Sequence, residues 1–156
     1  MITSTPSHHA LAQRLVTLEM DAAERPLTGP AAAGRVFDKL SQRLAELITP
    51  VGSEALLRRA VHLSRLEFPF LAGAQLLPNT DPLIDRLRDA AATVDPSQAQ
   101  AGLLAVLGTL VALLDSFIGN DLTLRLLRDV WPELALMNPD SKPTISRTGN
   151  SNAITQ

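Results

Sequence analysis

Three histidines, His8, His9 and His62, are the only side chains in this 156-residue chain whose ordinary titration falls near neutral pH. The other groups that could do covalent or acid–base chemistry are few. There is no Cys, no Tyr and only two Lys. Ser and Thr occur throughout, but none stands in a Gly-x-Ser-x-Gly elbow or a Ser-x-x-Lys pair. The glycines form neither Gly-x-Gly-x-x-Gly nor a Walker loop, and no His-Glu-x-x-His or Glu-x-x-His is present. His8 and His9 are adjacent, so on a helix they point about 100° apart and cannot share a metal. This stock predicts a non-catalytic protein with no metal and no cofactor.

One basic cluster stands out. Arg58, Arg59, His62 and Arg65 fall on one side of a predicted third helix, away from Leu56, Leu57, Ala60 and Val61. Arginine recognises planar anions through paired N–H groups, so this face could bind a phosphate or an acidic partner. The run His62-Leu63-Ser64-Arg65 resembles the signature of histidine-phosphotransfer domains, which are small helical bundles. The resemblance implies a phosphoryl-accepting His62 shielded by Arg65. It spans only these residues, and Leu66 stands where a small residue is usual.

A second polar cluster lies near the C-terminus. Asp121, Arg125, Arg128 and Asp129 form a narrow strip on a sixth helix, with Asp121–Arg125 and Arg125–Asp129 each one turn apart. The strip reads as a solvated edge or as an ion-pair network that fixes a partner. Asp115 is expected either exposed or paired with Arg125 or Arg128. Trp131, the only Trp, is a core anchor or an interface residue.

These side chains must be carried by helices, because apolar residues recur at helical spacing almost everywhere and no strand alternation appears. Predicted helices run over about 7–24, 31–49, 53–67, 82–94, 96–118 and 120–131. Ser53 is the expected N-cap of the third, and Pro50 and Gly52 the expected stop of the second. The expected fold is all-α: a compact single-domain bundle of five to six helices around a central apolar helix at about 96–118. The helical domain would span 1–137, and 138–156, rich in Ser, Thr, Asn, Pro and Gly, would be a disordered polar tail.

The central helix is the most informative element. Ala101 to Leu114 contains no charge, which demands enclosure by protein or lipid. The run is shorter than the roughly 20 residues a span needs and lacks basic and aromatic flanks, so a core helix is expected and a membrane span is not. Ala101, Ala105, Gly108 and Ala112 form a stripe of small residues on one side of it. That stripe suits close approach of another backbone, from the same chain or from a second copy. With Trp131 it is the predicted interface. The alternative is a hollow for an apolar small molecule lined by Phe68, Phe70, Leu76 and Leu77, near the irregular segment 68–80. Gly102 lies off the stripe and has no evident reason in the sequence.

Composition closes off further classes. Fourteen basic against sixteen acidic residues argue against a nucleic-acid binder. The opening residues have no basic or apolar stretch of a signal peptide. The absence of Cys fits a reducing cytoplasm, and twelve Arg against two Lys point to a GC-rich, bacterial genome. The expectation is therefore a small cytoplasmic interaction or regulatory module, homodimeric or bound to another protein. The alternatives are an apolar-ligand bundle and a phosphotransfer-like module using His62.

Overall fold

Local signals set where each helix begins. In a computed structural model, which describes residues 6–76 and 82–134, helix α1 spans Pro6–Ala22 and α2 spans Gly29–Leu47. Thr28 caps α2, its Oγ1 accepting from Ala31 N at 3.2 Å, and Pro30 fills the first turn, where a missing N–H leaves nothing unpaired. Helix α3 spans Pro50–Ser64. Its cap is Thr49, which accepts from Gly52 N at 2.9 Å, so the predicted start at Ser53 is corrected. Pro50, read as a stop, is instead a first-turn proline, and Ser53 is buried with its Oγ donating to Ser41 O. A 3-10 turn, Pro69–Leu71, leads into the short α4, Ala72–Leu76. Helix α5 spans Leu83–Ala91. Helix α6 spans Pro96–Ile118 and starts as expected, with Asp95 Oδ1 accepting from Gln98 N at 2.8 Å. Helix α7 spans Asn120–Val130.

The architecture is the expected all-α bundle around a central apolar helix, with no strand among the described residues. The short α4 lies in the stretch expected to be irregular and brings the α-helices described to seven. Helix α6 packs against α1, α2, α3, α5 and α7. Leu103, Leu107, Leu110 and Leu114 are buried around it, and they meet Leu15, Phe37, Leu40, Leu57 and Leu127 of the other helices in one core. By length and composition α6 could cross a membrane, but two thirds of its most apolar stretch is enclosed by the other helices. The boundary at 137 and the tail over 138–156 lie outside the described residues, as does Leu77; Leu76 is described by its backbone alone.

A Cβ on Gly102 would lie 2.5 Å from Phe70 Cζ and 2.6 Å from Phe70 Cε1. Phe70, set edge-on to Phe68, occupies the place of that missing side chain, which accounts for a helix-weakening residue inside α6. Gly119 joins α6 to α7 with φ +91° and ψ 158°, a conformation open in practice only to glycine. Its N–H still donates to Asp115 O, closing α6, while its carbonyl accepts from Thr123 N, opening α7.

Candidate functional site

The predicted interface stripe is mostly turned inward. Gly108 and Ala112 are buried within the chain, while Ala101 and Ala105 are half-buried. Trp131 is 3% exposed, and its Nε1 donates to Glu19 Oε2 at 2.7 Å. Phe68 and Phe70 pack onto the core beside Gly102.

Glu19 is the polar group the sequence hides best. It sits on α1 between Leu15 and Ala22, on the side that faces the core, and is 1% exposed. Its Oε2 also accepts from Lys39 Nζ of α2 at 2.6 Å, whereas Oε1 has no hydrogen-bond partner among the described residues. One carboxylate thus ties α1, α2 and the turn after α7. The signal in the sequence is an acid at helical spacing with Leu11, Leu15 and Leu18; it names the face but not the partners. Asp115 likewise finds an unexpected partner. It receives His8 Nε2 at 2.6 Å and Asn120 Nδ2 at 3.5 Å, in place of the expected Arg125 or Arg128. Neither carboxylate is joined by further acids or histidines: among the described residues no group of three or more could hold a metal.

The basic face of α3 is outward. Arg58, Arg59 and His62 are exposed and Arg65 is half-buried, with Arg58 Nη2 donating to Glu54 Oε1 at 2.7 Å. Beyond these, Leu66 is 82% exposed.

The strip on α7 is also outward, and its pairing differs from the in-helix ladder its spacing suggests. Asp129 accepts from Arg43 of α2 at 3.1 Å, and Arg43 also binds Glu46 at 3.0 Å. The hydrogen bonds to Glu46 and then Asp129 hold the Arg43 guanidinium above its ordinary pKa. Asp121, Arg125 and Arg128 make no ion pair among the described residues.

Beside this strip lies an apolar groove of about 340 Å³. Leu47 and Ile48 of the α2 end, Phe117 and Ile118 of the α6 end, and Leu122 and Leu126 of α7 line it, with Arg43, Arg125 and Asp129 on its rim. Three of the large apolar side chains most open to solvent converge here: Leu47 at 57%, Phe117 at 64% and Leu122 at 51% exposure. Leu47 belongs to the apolar face of α2, but it sits in the last turn, beyond the reach of the core. A second groove, about 500 Å³, lies where the start of α2 meets the end of α5 and the start of α6. Its walls are small, including Ala31, Ala91, Ala92 and Ala99, closed by Val94 and Leu103. Arg88, at its edge, is held by Gly34 O, Asp38 and Asp85.

Comparison of the chain with protein-family models, with curated proteins and with solved structures finds no match.

Proposed function

We propose that this chain is a small cytoplasmic, non-catalytic helical interaction module that self-associates, and that it works through the α2–α6–α7 groove. The observation that carries this reading is the convergence of Leu47, Phe117 and Leu122 on one trough with a charged rim. Isolated exposed apolar residues need no explanation, but contiguous ones rimmed by polar groups mark contact surfaces. A groove of this kind suits the apolar face of a helix. It also moves the interface away from Gly108, Ala112 and Trp131, which the chain uses for its own packing.

The test is sedimentation of the full chain over roughly 1–200 µM, the range expected for a small contact surface. A concentration-dependent rise in mass, abolished by Phe117→Asp without loss of helicity, supports the reading. A monomer at every concentration refutes self-association. A second reading, binding of an apolar small molecule, draws on the 500 Å³ groove, whose size lies within the usual range for small-molecule sites. Protection of that groove in hydrogen exchange by a co-purified molecule would favour it.

A further inference from the structure

We infer that the second copy docks against α7 antiparallel to the first, on a two-fold axis level with position 123. This deepens the proposed self-association and rests on it. On the outer face of α7, Asp121 and Arg125 stand one turn apart, both exposed, with Leu122 between them on the groove side. Asp121 lies in the first turn, where the helix dipole favours an acid, and neither it nor Arg125 has an ion-pair partner among the described residues. Thr123 points inward, fully buried, with its Oγ1 donating to Gly119 O, so the axis passes outside it.

A two-fold contact makes every pairing occur twice. With the axis at this level, Asp121 faces Arg125 of the partner subunit and Arg125 faces the partner's Asp121. The neighbouring registers are worse. An axis at 125 sets Arg125 against its own copy. An axis at 127 pairs Arg125 with an Asp129 already held by Arg43, and brings Asp121 against Glu133 of the partner subunit. Of these three registers, only the first pairs Asp121 with Arg125 without creating a like-charge contact. An axis perpendicular to both helices also leaves the two Leu122 side chains on the same side of the pair. The two grooves then join into one apolar trough across the axis. Helix α7 has eleven residues, about 16 Å of length, so the contact is small and the association weak.

The experiment is a charge swap read by sedimentation equilibrium of the full chain at low salt. Asp121→Arg and Arg125→Asp each place two repulsive contacts in the dimer. Each is expected to weaken association roughly ten- to thirtyfold. The double variant Asp121→Arg/Arg125→Asp restores the pairing in reverse and is expected within about threefold of the native chain. Helicity and thermal midpoint, followed in parallel, identify any variant that fails by unfolding; Arg125→Asp leaves the first turn of α7 untouched. Recovery in the double variant supports the register. A native dimer that Phe117→Asp disrupts but that ignores the single reversals, or that the double swap does not rescue, overturns the register and leaves groove-mediated self-association standing. A native chain that is monomeric throughout overturns both.

Discussion

Glu19 allows the sharpest quantitative test of the packing. Its Oε2 accepts from Trp131 Nε1 and from Lys39 Nζ, and the side chain is 1% exposed. A hydrogen bond to a charged acceptor contributes roughly 1.5–3 kcal/mol, and a buried donor left unpaired costs about 1–3 kcal/mol. Trp131 is buried, so water cannot replace the carboxylate at its N–H. Lys39 is half-exposed and rehydrates if the acid is removed. Glu19→Met, of similar shape, therefore loses the indole hydrogen bond and gains relief from burying a carboxylate whose Oε1 is unpartnered. In a Trp131→Phe background only the relief remains. A double-mutant cycle on Glu19→Met and Trp131→Phe should give a coupling energy of roughly 1.5–3 kcal/mol. In the Trp131→Phe background, Glu19→Met should be neutral or stabilising. The assay is urea unfolding followed by far-ultraviolet circular dichroism, which does not depend on the Trp. A coupling below about 0.5 kcal/mol would refute the assignment, because that is the scatter of additive, non-interacting sites.

Other consequences can be checked with the same methods. Gly102→Ala places a Cβ against the edge of the Phe70 ring, about 2.5 Å from Cζ. It should destabilise by about 1–2 kcal/mol despite better helix propensity, and Phe70→Leu should recover part of the loss in thermal melts. Gly119→Ala has open space around it but the wrong backbone conformation, so a loss of roughly 1–3 kcal/mol is expected with no change in the buried core. His8→Leu removes the polar tie between α1 and α6, and hydrogen exchange should quicken in the first two turns of α1 while the centre of α6 stays protected. For a non-catalytic module, a small phosphoryl donor should leave no acid-labile label on His62, although that side chain is exposed; stoichiometric labelling would restore the phosphotransfer alternative.

The long helices were legible in the sequence because their determinants are local, whereas the short α4 lies in a stretch read as irregular. Asp95-Pro96 and the uncharged run from Ala101 to Leu114 mark α6 without reference to the rest of the chain. The Pro50 error has a local cause too: proline stops one helix or opens the next, and Thr49 decides which by capping. The partners were not legible. Periodicity gives the face of Glu19, His8 or Asp115, but the residue opposite depends on how three helices cross. The groove was hidden for a related reason. Leu47 and Phe117 look like core residues by type and are left outside because their helices outrun the core. The reason for Gly102 lies outside its own helix, in Phe70, which fills the space a Cβ would take.

The position of α6 in the chain bears on how the protein is made. It is the common neighbour of α1, α2, α3, α5 and α7, yet it begins only at residue 96. Helices α1, α2, α3 and α5 are therefore synthesised before the element they share. The parts of their apolar faces that α6 covers stay open until that segment, itself apolar on every side, has been made. A fragment ending at Asp95 lacks the helix that α1, α2, α3 and α5 share, so it should expose apolar surface and aggregate at concentrations where the full chain stays in solution.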